Sequence, residues 1–270
     1  MQKLSVRQMI RAKSPQLDAL LPDFVISALE RLLCLDRIEE LLALGRGMQP
    51  LEFIDAIFAQ LNITYEGIWE DEPRQGRYVF ASNHPFGGMD GLMLGHCVGR
   101  RFGDVRIGVN DLLMSLTPLA PVFMPINKHG GQRSSAARSF ERIFRGDTPI
   151  VTFPAGMCSR KQQGRVNDLP WKSGFIKRAV ASKRDVIPVY VDGGLSRRFY
   201  GLAWLRKALG IKQNIEMILL PSELFAQRGR HFKIVFGSPI AWEILASEQN
   251  AEACTLLVRD EMERLRGYYR

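Results

Sequence analysis

Over the first sixty or so residues, apolar side chains recur every three or four positions, as in Phe24-Val25-Ile26 through Leu32-Leu33 and again from Ile38 to Leu44. That period gathers them on one face of a helix. Ser14-Pro15, Pro22-Asp23, Asp36 and Pro50 stand where helices start, as caps or first-turn prolines, and Gly45 closes one run. After Leu61 the pattern changes. Short β-rich runs predict strands at 63–69, 78–82, 105–109, 122–126, 150–153, 186–191 and 232–236. Helical patterns intervene at 89–98, 134–144, 171–182, 196–209 and 248–266. This alternation predicts an α/β fold: a mixed, mostly parallel sheet flanked by helices, with a helical N-terminal segment. No internal repeat or low-complexity linker interrupts it, so we divide the chain into a helical segment, 1–62, and a catalytic domain, 63–270. Reactive groups in such sheets gather at the carboxyl ends of strands, and His84, Lys128 and Gly156 each follow a candidate strand.

Composition changes this picture in two places. The net charge of +9 suggests an anionic partner, whether nucleic acid, anionic lipid headgroups or an acidic carrier protein. Four cysteines, widely separated and without a CxxC pair, argue against a zinc site and a dense disulfide framework, and fit a reducing compartment. The positively charged N-terminus lacks an apolar core of signal-peptide length, and no run approaches the roughly 18 apolar residues of a membrane span. The expectation is a cytoplasmic protein that does not cross a bilayer. Lying on one stays open.

The chemistry concentrates in His84-Pro85-Phe86-Gly87-Gly88-Met89-Asp90, directly after the apolar run Tyr78-Val79-Phe80. An imidazole titrating at about 6.5 can accept a hydroxyl proton at neutral pH and later deliver it to a leaving group. A nearby carboxylate can hold the ring in one tautomer and stabilise the imidazolium. The plainer reading is a buried turn histidine, with Asp90 capping the helix that begins near Gly91. The two glycines, which leave backbone closely approachable between the acid and the base, favour the catalytic reading.

Asn83-His84 followed by Asp90 resembles the first block, NHxxxxD, of the glycerolipid acyltransferases of the lysophosphatidic acid acyltransferase type. Three further stretches follow in the family's order: Pro125-Ile126-Asn127-Lys128, Phe153-Pro154-Ala155-Gly156 and Val186-Ile187-Pro188-Val189. The resemblance runs from about residue 78 to residue 192 and more weakly beyond. It implies transfer of a fatty acyl group from a coenzyme A or acyl carrier protein thioester to a lipid hydroxyl, with no bound cofactor and no metal. His84 would be the general base and Asp90 its partner. Asn83 would support the loop. Gly87 and Gly88, together with Lys128, Phe153, Pro154, Gly156 and Arg160, would form the substrate site.

Two departures from the family pattern matter. Five residues separate His84 from Asp90 where the family has four, so the loop must bulge, which Gly87-Gly88 allows. The third block has Ala155 and Cys158 where the family has Glu and Arg, residues that help place a phosphorylated glycerol. Arg160, Lys161 and Lys172 could replace that charge from other positions. HPFGGMDG and FPAGMCSRK are closer to the hemolysin-like subgroup, associated with O-acylation of amino-acid lipids such as lyso-ornithine or lyso-glycine lipid.

Three other residues carry two readings each. Cys158 is a conceivable acyl-enzyme nucleophile or a small buried residue in a tight turn. His96 is a site neighbour or an ordinary helix residue, and His129 a substrate contact or a loop residue. The segment Leu195–Lys212 is basic and aromatic without an acid. At helical spacing Leu195, Phe199, Leu202, Leu205 and Leu209 would pack inward, leaving Arg197, Tyr200, Trp204 and Lys207 for a membrane surface or simply for solvent.

The expected protein is an O-acyltransferase, peripheral on the cytoplasmic face of the inner membrane. Its partners would be a lyso-lipid acceptor (lyso-ornithine or lyso-glycine lipid, or lysophosphatidic acid), an acyl carrier protein or coenzyme A thioester, and an anionic membrane surface. The alternatives are a basic nucleic-acid-binding module, for which zinc-finger spacing, an RNP-like run and a Lys/Arg tract are missing, and a lipid acyl hydrolase.

Overall fold

Every residue of Tyr78–Ser82 is buried, the pattern of a strand covered on both faces. This strand lies at the middle of the sheet. The computed structural model describes residues 5–13, 16, 20–110, 113–114, 116–126, 140–162, 164–248 and 250–269. Its strands are β1 (Thr64–Trp69), β2 (Tyr78–Ser82), β3 (Arg106–Val109), β4 (Phe123–Pro125), β5 (Ile150–Thr152), β6 (Arg160–Gln162), β7 (Arg165–Asn167), β8 (Asp185–Val191) and β9 (His231–Phe236). Seven of them form one sheet in the order β1-β9-β8-β2-β5-β3-β4. Neighbours are parallel throughout except β8 and β9, so the sheet is mixed and mostly parallel, as expected. β6 and β7 form a separate antiparallel hairpin that the sequence pattern does not reveal, its strands being only three residues each.

Helices cover both faces. The N-terminal ones are α1 (Val6–Lys13), α2 (Asp23–Leu32), α3 (Leu35–Leu44) and α4 (Pro50–Leu61), followed by α5 (Gly88–Phe102) and a short α6 at 140–145. Then come α7 (Gly174–Ala181), α8 (Arg197–Ala208), α9 (Leu220–Ala226), α10 (Trp242–Ser247) and α11 (Ala251–Arg264). Pro50 opens α4 inside a capping box of Gln49 and Glu52. The expected helix at 134–144 begins among residues outside the described set.

Strand alternation separates two cores. On one face Phe80, Ile107, Ile187 and Phe236 meet Phe53, Ile57 and Phe58 of α4 and Met89 and Met93 of α5. On the other Val79, Ala81, Val186 and Val235 meet Phe175 and Ile176 of α7 and Val258 and Met262 of α11. Val6, Ile26 and Leu35 make a small third cluster among α1 to α3. Because β5 and β8 both run parallel to β2, the loops leaving all three strands emerge at one edge. His84 and Gly156 follow two of these strands at that edge.

Candidate active site

His84 leaves the end of β2 between the loops that follow β5 and β8. Asn83 fixes the start of its loop: its Oδ1 accepts the Val191 N–H and its Nδ2 donates to the Val191 carbonyl, both at 2.8 Å. The side chain thereby adds a rung where the β2–β8 ladder ends. Phe86 is buried against Gly193, where a Cβ would stand 2.1 Å from the ring, so only glycine fits there. Gly87, at φ +69°, turns the chain into α5 in a conformation that other residues resist.

Asp90 lies in the first turn of α5 and is fully buried. Its Oδ2 stands 2.9 Å from His84 Nδ1 and accepts the Phe86 N–H at 2.8 Å. Asp90 therefore both ties down the entry to the helix and faces the imidazole. Burial pushes the Asp90 carboxyl above the ordinary carboxylate range, while His84 and the Phe86 N–H pull it back down. The His84 ring stacks on Phe153, with centroids 4.1 Å apart and planes at 27°. With Nδ1 facing Asp90, Nε2 is the nitrogen left for a substrate. The N-cap of α5 is Gly87, which has no side chain to cap the helix, and among the described residues no side chain accepts from its first-turn N–H groups.

A second carboxylate, absent from the sequence-based set, braces this loop. Asp168 Oδ1 accepts the His84 backbone N–H at 3.1 Å and the Ser159 hydroxyl at 2.5 Å, and Oδ2 accepts the Trp171 indole N–H at 2.8 Å. The Ser159 N–H in turn donates to the His84 carbonyl at 2.8 Å. Asp168-Leu169-Pro170-Trp171 is an acid, a proline and a tryptophan after the hairpin, a signal that points to a turn but not to its partner.

Phe153, Pro154 and Gly156 come to the same edge as His84, with the Gly156 N–H donating to the Phe153 carbonyl at 2.9 Å. Lys128 and His129 lie outside the described residues. Arg160 departs from expectation. Rather than facing the site as a free cation, it is buried, with Nη2 3.1 Å from Glu216 Oε1 and Nη1 donating to the Cys158 carbonyl at 2.8 Å. Glu216, itself fully buried, also faces Arg206 Nε at 2.8 Å. Burial pushes the Cys158 thiol up, against the pull of Arg160, and its sulfur neighbours are Arg160 and Met217. His96 belongs elsewhere, its ring placed 2.6 Å from the Tyr65 hydroxyl and 2.7 Å from Asp55.

α8 is also corrected in part. Ser196 caps it, accepting the Phe199 N–H, and its inward face is Phe199, Ala203 and Arg206. Leu205 and Leu209, expected to pack inward, are 46% and 65% exposed, beside Trp204 at 71%. Tyr200, expected outside, is partly buried, its hydroxyl accepting the Leu195 N–H at 3.1 Å. The reason is Arg206. Its pairing with Glu216 draws a charged residue inward and turns the helix, which an apolar count cannot anticipate. Arg197 and Lys207 are exposed as expected. Among the described residues no helix is long and apolar enough to cross a membrane.

The sequence profile of the acyltransferase family matches residues 8–269. A lyso-glycine lipid O-acyltransferase of Bacteroides thetaiotaomicron is 39% identical over 265 residues, covering 97% of this chain and 97% of that protein. A protein of the same description from Phocaeicola vulgatus is 36% identical, covering 97% and 95%. Among solved structures, the 1-acyl-sn-glycerophosphate (LPA) acyltransferase PlsC of Thermotoga maritima aligns over 97% of this chain and 91% of its own, with a TM-score of 0.48 and 13% identity.

Proposed function

The chain belongs to the acyltransferase family, and from that premise we propose that it moves a fatty acyl group from an acyl carrier protein or coenzyme A thioester to the hydroxyl of a lyso-glycine lipid. The observation that carries the reading is the buried Asp90 carboxylate 2.9 Å from His84 Nδ1, with Nε2 left for a substrate. The choice of acceptor is supported by relatives 36–39% identical along nearly the whole chain, both described as lyso-glycine lipid O-acyltransferases.

In this reading His84 Nε2 takes the proton of the lipid hydroxyl as its oxygen attacks the thioester carbonyl. Asp90 steadies the imidazolium that forms. The tetrahedral oxyanion is held by first-turn N–H groups of α5, a contribution of about 2.7–4 kcal/mol per donor in a comparable enzyme. The Gly156 N–H is less suited, since it already serves Phe153. Collapse of the intermediate breaks the C–S bond, and the departing thiolate takes the proton back from Nε2. Cys158, buried and pushed toward its protonated form, has no step to perform.

The acceptor keeps its own chain in the bilayer, so the site must come to the membrane. Trp204, Leu205 and Leu209, ringed by Arg197, Arg198 and Lys207, suit a peripheral contact with anionic lipid. The test is a competition assay with purified protein, an acyl thioester, and lyso-glycine lipid and lysophosphatidic acid together. Acylated glycine lipid is the expected main product. A clear preference for lysophosphatidic acid would move the protein to another acceptor class.

A further inference from the structure

A glycine joined to a fatty chain through its nitrogen keeps a free carboxylate, which is ionised at neutral pH because such carboxyls titrate at about 3.3–3.7. An acceptor of that kind brings one negative charge into the site together with the hydroxyl that reacts. The cations beside the third-block loop differ in what already holds them. Arg160 is bound to Glu216 and to the Cys158 carbonyl, deep in the protein. Lys161 is exposed on β6, where its strand pairs with Val166. Arg178 donates back to the Gly174 carbonyl and lies over the Phe140 ring.

Lys172 is different. Its backbone N–H donates to the Pro154 carbonyl at 3.1 Å, which anchors it to the loop that carries Phe153. Its ammonium stands 3.5 Å from where a Cβ on Gly156 would lie, so the charge rests directly over that glycine. The residue is exposed, and among the described residues no carboxylate pairs with it. Its neighbour Trp171 is tied through Asp168 to the His84 backbone, so the segment that sets Lys172 also sets the base.

We propose that Lys172 is the headgroup-reading residue of this site, its ammonium pairing with the acceptor's carboxylate over Gly156 while the acceptor's hydroxyl meets His84. The assignment rests on the proposed acceptor. It explains how a site with Ala155 and Cys158 in the third block can still select an anionic lipid, using a single point charge suited to a carboxylate.

The test compares lyso-glycine lipid with its methyl ester, which lacks the charge, in the wild-type protein and in the Lys172→Met and Lys172→Arg variants. Methionine keeps an unbranched apolar stem. For the free acid, Lys172→Met should raise KM about tenfold, equivalent to about 1.4 kcal/mol, with kcat little changed. The ester should show no such difference, and Lys172→Arg should recover most of the loss. An equal loss on acid and ester, or no loss on either, would overturn the assignment while the wild-type protein still acylates the glycine lipid. Failure of the wild-type protein to acylate either acceptor would overturn the proposed function, and this assignment with it.

Discussion

Asp90 faces His84 across 2.9 Å from a position with no solvent exposure at all, and the same carboxylate oxygen also accepts the Phe86 N–H. One buried acid thus contacts both the backbone of the loop and the imidazole. His84→Ala should lower acyl transfer by about 10²- to 10⁴-fold, the usual worth of general acid–base catalysis, with the melting temperature little changed. Asp90→Asn should cost a similar order by presenting the wrong tautomer. Turnover of purified His84→Ala within a few-fold of wild type would remove the base assignment.

Asp90 also makes a stability prediction of opposite sign. Its carboxyl titrates higher in the fold than in the unfolded chain, because burial disfavours its charge. A raised group favours the fold most below its unfolded pKa of about 3.9, and that advantage is lost as pH rises through the folded value. At neutral pH, above the unfolded value, the buried Asp90 carboxyl therefore works against the fold. Asp90→Asn should melt at or above the wild-type temperature at pH 7, and the gap should shrink as pH falls toward 4. A variant less stable at pH 7 than at pH 4, relative to wild type, would contradict this.

Glu216, with no solvent exposure, holds Arg160 and Arg206, both buried. Removing one member of a buried ion group leaves uncompensated charge, at a cost of about 3–5 kcal/mol. Glu216→Ala should lose about that much in urea denaturation, and the Arg206→Met, Glu216→Gln double variant should recover part of it. Wild-type stability in Glu216→Ala would mean that water reaches both guanidiniums.

The fold was legible because the period changes cleanly after Leu61 and because Val79 and Phe80 each find an apolar face. The pairing of His84 with Asp90 was legible because imidazole, glycines and carboxylate lie within one short stretch. Asp168 was not, since its carboxylate reaches the His84 N–H from 84 residues away. Nor was the rotation of α8, which depends on Glu216 drawing Arg206 inward from outside the helix. Apolar periodicity reports which side chains prefer to be dry. It is silent about a charge that is buried by its partner.

Cys158→Ser should keep most activity, because the thiol is buried, pushed toward its protonated form, and assigned no step. Intact-mass measurement after incubation with acyl thioester should show no covalent adduct. An acyl group trapped on Cys158 would replace direct transfer with a two-stage mechanism.

Replacing Arg197, Trp204 and Lys207 together should weaken sedimentation with anionic vesicles, since each basic residue near such a surface contributes about 1 kcal/mol. The effect should fade as salt is raised. Turnover of a soluble short-chain acceptor should be unchanged. Undiminished vesicle binding would move the contact away from α8.

The Phe153 ring covers one side of His84, and Asp90 holds its inner nitrogen. A proton that the imidazole accepts must leave by the nitrogen through which it arrived. On the proposed mechanism acceptor and thioester occupy that edge at the same time, because the proton passes from one to the other through a single nitrogen. The proposed mechanism therefore requires both substrates to assemble before either product departs. Initial-rate lines at varied concentrations of the two should intersect rather than run parallel.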